Sequence, residues 1–163
     1  MSHWIVTTLK ATTVSHWMIQ LTWMWPLCET LHFVGLALLI GVVGLLDLRL
    51  LGFVRRVPVA AVHGLIPWGI AGFVINLVTG ALFFIGAPDQ YLTNVAWWYK
   101  IGFLVVAGLN VLYFETTQAG RAMAIGAGED TPRTLKVIGA VSIASWFMVL
   151  YWGRMLPFIG TAF

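Results

Sequence analysis

The sequence predicts an all-α integral membrane protein, a bundle of four transmembrane helices preceded by an N-terminal interfacial amphipathic helix. Two observations carry this expectation. Hydrophobic residues make up 60% of the 163 and charged residues only 9%, so the bilayer is the natural solvent. The apolar residues also fall into four long runs, each near the roughly 20 residues needed to cross about 30 Å of hydrocarbon as a helix. An aromatic-rich segment, residues 1–26, therefore precedes a single membrane domain, residues 27–163.

Within residues 3–25, Trp4, Trp17, Trp23 and Trp25 alternate with Thr and Ser. That density suits the headgroup boundary better than the bilayer centre, so the segment reads as an interfacial helix ended by Pro26. Its first basic residue is Lys10, too late for the n-region of a signal peptide, and the segment is expected to be retained. The first span covers about 28–51, and "R-R-V-P-V" turns the chain after it. The second covers about 62–86 and is followed by "G-A-P-D-Q-Y-L-T-N". The third covers about 96–115 and the fourth about 136–160. Between them "G-A-G-E-D-T-P-R" predicts Thr131 as a helix cap with Pro132 at the first helical position.

Several function classes are excluded by what the chain lacks. One cysteine permits neither an internal disulfide nor a CxxC-type zinc or redox motif. P-loops, dinucleotide loops and nucleophile motifs are absent, so no catalytic residue is assigned. The net charge of +3 reflects Arg49, Arg55 and Arg56 at the first connection and Arg121, Arg133 and Lys136 at the third. This asymmetry predicts both termini on the outer side, the periplasm if the membrane is a bacterial inner membrane. No basic patch with interleaved aromatics points to nucleic acid.

Ionisable groups within hydrocarbon are costly and commonly face a cavity or a partner, which makes them the candidate site residues. They sort into two layers. The outer layer holds Cys28, Glu29 and His32, then Trp97, Trp98, Tyr99 and Lys100, and finally Tyr151, Trp152 and Arg154. The inner layer holds Asp47, Arg49, His63 and Glu115.

Cys28 and His32 are four residues apart and Glu29 precedes His32 by three, so one helix face presents all of them. A lone cysteine in an apolar helix is ordinarily a small hydrophobe, whereas Glu29 and His32 read as a polar pair. Helix bundles hold haem b through axial histidines, which makes His32 a candidate ligand. His63 cannot share its iron, because His32 lies roughly 28 Å from the opposite membrane face at about 1.5 Å per residue, where His63 begins the second span. The second span meets His32 near residues 76–80, where no histidine stands, leaving His32 as sole axial ligand or His16 folded over the outer face as the second.

Lys100 and Arg154, with Trp98 and Trp152, would then contact a haem propionate or a quinone oxygen. The plainer reading is that the two cations snorkel, that the aromatics form an interfacial belt, and that His32 makes a polar contact to Glu29, Lys100 or a carbonyl. In the inner layer, Asp47 and Arg49 are expected in a solvated salt-bridge cluster. His63 and Glu115 share a depth, permitting a hydrogen bond between the second and third spans. Glycines and serines at helical spacing, among them Gly35, Gly72, Gly139 and Ser142, mark close helix approaches.

"E-T-L-H-F-V-G-L-A-L-L-I-G" running into "D-L-R-L-L-G", then "P-W-G-I-A-G-F", "T-G-A-L-F-F", "Y-K-I-G-F-L-V-V-A-G-L-N" and "Y-W-G-R" resemble, in order, a family of bacterial four-helix inner-membrane proteins classed as a domain of unknown function. More distantly the chain is similar to the membrane domain of copper-resistance protein D and to cytochrome-b-like bundles. The resemblance covers nearly everything from Trp25 onward and implies that Glu29, His32, Asp47, Arg49, Lys100, Asn110 and Arg154 are the patterned polar positions. It implies copper or haem as partners, with histidine frequent where Glu115 stands and Cys28 outside the pattern.

Three readings follow. The first is a haem b or quinone-linked electron-transfer protein with its site on the outer side, served by a quinone pool or a periplasmic redox protein. In the second, a copper-handling protein uses His32, His16 or His3 and methionines. The third is a cofactor-free structural or assembly subunit of a larger membrane complex or homo-oligomer.

Overall fold

The computed structural model describes residues 2–159. Among them every regular element is helical. Four stretches are long and apolar enough to cross a membrane, Met24–Leu51, Val59–Gly86, Val95–Met123 and Arg133–Phe158, with mean hydropathies of 2.2, 2.0, 1.5 and 1.6. The chain is a multi-pass membrane protein built as a four-helix bundle.

The N-terminal segment forms two short helices, not one: α1 (Ser2–Lys10) and α2 (Thr13–Gln20). Thr12 divides them, its hydroxyl donating to the Leu9 carbonyl at 2.7 Å and accepting from the Ser15 amide at 3.2 Å, which satisfies a backbone donor at the new helix start. Pro26 does not end this segment. It lies in the first turn of α3 (Met24–Leu51), where its missing N–H would have had no helical partner anyway.

The second span is α4 (Val59–His63) and α5 (Ile66–Gly86). They part just before Pro67, which cannot donate into the helical ladder. α6 (Pro88–Thr93) then crosses the bundle end, and Lys10 of α1 is paired with its Asp89 at 2.9 Å. That hydrogen bond holds the Asp89 carboxyl below its ordinary value.

The third span starts at α7 (Val95–Tyr113), capped by Asn94, whose side-chain oxygen accepts from the Ala96 amide at 2.9 Å. It does not stop near residue 115 but continues through a π-helical turn, Phe114–Gln118, into α8 (Ala119–Met123). Thr116 and Thr117 look like an exit into water. Instead their hydroxyls donate back to the carbonyls of Leu112 and Tyr113, each at 2.7 Å, supplying partners where the wider turn disturbs the ladder.

The fourth span, α9 (Arg133–Met155), ends in a single 3-10 turn, Leu156–Phe158. Position 160, the expected end, lies outside the described residues. Pro132 is the cap residue and not the first helical one. Thr131 serves Arg49 instead, accepting from its Nη1 at 3.1 Å.

Arg49 overturns the solvated salt-bridge cluster. Its side chain is fully buried and donates to the carbonyls of Val57, Gly126 and Glu129 as well as to Thr131. Asp47 forms no ion pair with it. Residues two apart on a helix point about 200° apart, so Arg49 stitches the two loops while Asp47 faces the interior. Asp130 pairs with Arg55 and Lys136 at the exposed rim.

The spans pack in a row: α5 on α3, α3 on α9, α9 on α7. At the α3–α5 crossing, a Cβ on Gly72 would lie 2.6 Å from the Gly35 carbonyl oxygen; at the α3–α9 crossing, one on Gly139 would lie 3.0 Å from the Asp47 carbonyl oxygen. Backbones this close need glycine. The row is not closed, because α5 and α7 share no extended interface. They are bridged at its ends, by α4 against α8 at one and by α6 leading into α7 at the other.

Candidate functional site

The outer-layer residues scatter. His32 turns into the α3–α5 seam, its Nδ1 2.7 Å from the Thr79 hydroxyl, its ring edge-on to Phe83 at 5.8 Å and its Cε1 beside Gly80. The Thr79 hydroxyl also reaches the Ile75 carbonyl at 2.7 Å. Thr79 falls within residues 76–80, the part of the second span level with His32. Glu29 is no partner of His32; it is exposed and accepts from the Trp25 indole at 3.1 Å. Burial, with the Glu29 charge second, pushes the Tyr91 phenol on α6 up to about 12.

Lys100 lies on the inward face of α7, beside Gly153 of α9. Arg154 points outward and stacks on Phe158 at 5.2 Å, so the two cations do not form one anion cradle. Trp98 is exposed, donating to the Leu92 carbonyl at 3.1 Å, and Trp152 stacks on Tyr99 at 4.6 Å. His16 is exposed on α2.

One side of the His32 ring leaves no room for a macrocycle. A macrocycle on His32 needs a flat slot beside the ring, but Thr79, Gly80 and Phe83 fill one side and the Gly35–Gly72 contact closes the seam one turn further on. Among the described residues no three His, Cys, Asp or Glu side chains gather where a metal ion would sit. Cys28 is buried, its thiol 4.0 Å from the Met18 sulfur, a packing role in keeping with its residue type.

Three of the four inner-layer residues, Asp47, His63 and Glu115, border one groove, while Arg49 does not. Between α5 and α7, where the row stays open, lies a groove of about 530 Å³. Leu39, Val43 and Leu46 of α3 form its back wall, Gly69, Ile70 and Phe73 one side, and Leu104, Gly108 and Val111 the other. His63 and Glu115 border its end at the π turn, joined at 3.0 Å, as their common depth predicts. The π turn belongs to this contact, since it begins one residue before Glu115.

Two polar atoms in this apolar wall have no partner. Asp47 is 3% exposed and Trp146 8% exposed; both residues border the groove, but Asp47 Oδ2 and Trp146 Nε1 are themselves enclosed and, like Ser15 Oγ, Asn76 Oδ1 and Trp152 Nε1 elsewhere, have no hydrogen-bond partner. Ser142, one turn before Trp146 on α9, stands next to Asp47. Asn110 also reaches the groove but is spent on packing, donating to the Ile138 carbonyl of α9 at 3.1 Å. An unpaired polar atom in a low-dielectric interior costs about 1–3 kcal/mol, a local penalty these enclosed atoms carry in the fold. Trp146 had not been singled out from the sequence. A tryptophan far from both span ends, away from the interfacial belts, is the signal that marks it.

Comparison with protein-family models, curated proteins and solved structures finds no match to this chain.

Proposed function

We propose that this membrane protein binds a lipophilic, quinone-class molecule drawn sideways from the bilayer into the groove between α5 and α7. The observation that carries the reading is the groove itself, open along its flank and lined mostly by apolar side chains, with His63 and Glu115 at one end. Its volume of about 530 Å³ suits a ring with the first part of a hydrocarbon tail. The quinone-linked reading of the sequence is thus kept, while its site moves from the His32 layer to the Asp47 layer. The ligand's redox chemistry would be driven by a partner, since no residue here is assigned to electron transfer.

Gly108 offers a clean test, because a Cβ there meets no atom within 4 Å. Gly108→Trp is expected to fill the groove without disturbing the fold. Purified in mild detergent and extracted with organic solvent, the wild-type protein should yield about one isoprenoid quinone per chain by mass spectrometry, and Gly108→Trp at least about tenfold less at unchanged thermal stability, the loss expected when a ligand is displaced from its pocket. Wild-type protein carrying no quinone above the empty-micelle background would sink the proposal.

A further inference from the structure

The groove has one polar end, and that end decides which way a ligand lies and what its head must carry, an inference that rests on the groove being a ligand site. We infer that the ligand lies with its ring against the His63–Glu115 pair and its tail along Gly69, Phe73, Leu104 and Gly108, and that the pair selects a hydroxyl-bearing ring, a quinol in preference to a quinone. A ring hydroxyl donates to Glu115 Oε2, and His63 is the positioning residue that holds the carboxyl.

Access singles out the pair. Asn110 is engaged with the Ile138 carbonyl, and the free atoms of Asp47 and Trp146 are enclosed. His63 and Glu115 border the groove with side chains 21% and 39% exposed, joined through Nε2 and Oε1 at 3.0 Å. Phe114 anchors them from beneath. It is buried in the core with Leu50 and Val62, and its ring lies 6.3 Å from the imidazole. The π turn that begins at Phe114 sets Glu115 beside it.

Donor and acceptor matching gives the selection. One proton bridges the 3.0 Å contact, on His63 Nε2 or on Glu115 Oε1. In either arrangement Glu115 Oε2 carries lone pairs and no hydrogen, so it can only accept. A quinol hydroxyl satisfies it. A quinone carbonyl, itself only an acceptor, is repelled. Where the imidazole carries a hydrogen on Nδ1, a ring oxygen of either form can accept it, so that atom adds affinity without selectivity.

The test uses the full chain in nanodiscs under anaerobic conditions, with a short-tailed benzoquinone and its quinol as probes and calorimetry as readout. Wild-type protein is expected to bind the quinol roughly tenfold or more tightly than the quinone, the discrimination of one hydrogen bond to a charged group. Glu115→Gln keeps the size but adds an N–H donor that a quinone can use, and the ratio should fall to about twofold or less. His63→Leu should lower the ratio to about threefold, and His63→Gln, whose amide nitrogen can stand in for Nε2, should restore it. Gly108→Trp should remove binding of both probes. Equal binding of the two probes to wild type, or a ratio kept in Glu115→Gln, overturns the headgroup inference and leaves the lipophile reading standing when Gly108→Trp still removes both. An unchanged ratio in His63→Leu overturns its positioning role. If Glu115→Gln does not fold, the wild-type ratio decides alone. If neither probe binds, or Gly108→Trp leaves binding unchanged, both readings fall.

Discussion

Arg49→Leu is expected to be the most damaging single substitution in the chain. Arg49 is fully buried, and its guanidinium links carbonyls of the first connection, through Val57, to those of the third, through Gly126 and Glu129, with Thr131 as a further partner. Leucine fills part of the volume and answers none of these groups. Hydrogen bonds to a charged donor are worth about 1.5–3 kcal/mol each, and some freed carbonyls can be rehydrated near the surface, so a net loss of about 3–5 kcal/mol follows. In thermal unfolding followed in detergent this corresponds to a Tm lower by about 10 °C or more. Arg49→Lys keeps the charge but not the planar fork that reaches several carbonyls at once, and should recover less than about half of the loss. Wild-type stability in Arg49→Leu would mean that the two loops are held by something else.

Gly72→Ala is expected to come next, at about 3 kcal/mol, the upper part of the range for overpacking a close contact. The added Cβ would lie 2.6 Å from the Gly35 carbonyl oxygen and 2.7 Å from the Leu39 amide nitrogen. Both obstacles are backbone, so no side-chain rotation relieves the clash and α3 must move away from α5. Gly41→Ala is the control, since a Cβ there meets nothing within 4 Å. It should stay within about 0.5 kcal/mol of wild type. Thermal unfolding of the two variants in the same detergent checks the pair. Equal stability would show that the helices do not cross at Gly35 and Gly72.

The four spans were legible because crossing hydrocarbon imposes length and composition together, and a uniform rise per residue then sets relative depth. That arithmetic found the stretch of α5 that meets His32, with Thr79 inside it, and the pairing of His63 with Glu115. It failed where rotation about the helix axis decides the outcome. Asp47 and Arg49 share a depth, yet one lines the groove and the other ties the loops. The expected end of the third span near 115 fell short at Thr116 and Thr117, polar side chains that continue the helix by back-bonding.

The candidate site was least legible. A lateral groove exists only because α5 and α7 are the pair left apart, and hydropathy carries no information about which helices touch. The histidine criterion drew attention to His32, a residue whose polar need is met within the α3–α5 seam. That Asp47 and Trp146 border the same groove shows only once the packing is known.

An experimental structure in nanodiscs prepared with native lipid extract tests the central claim most directly. The account predicts elongated density lying in the groove between α5 and α7, with its tail leaving toward the bilayer. Direct packing of α5 on α7 along their length, closing the groove, would contradict it.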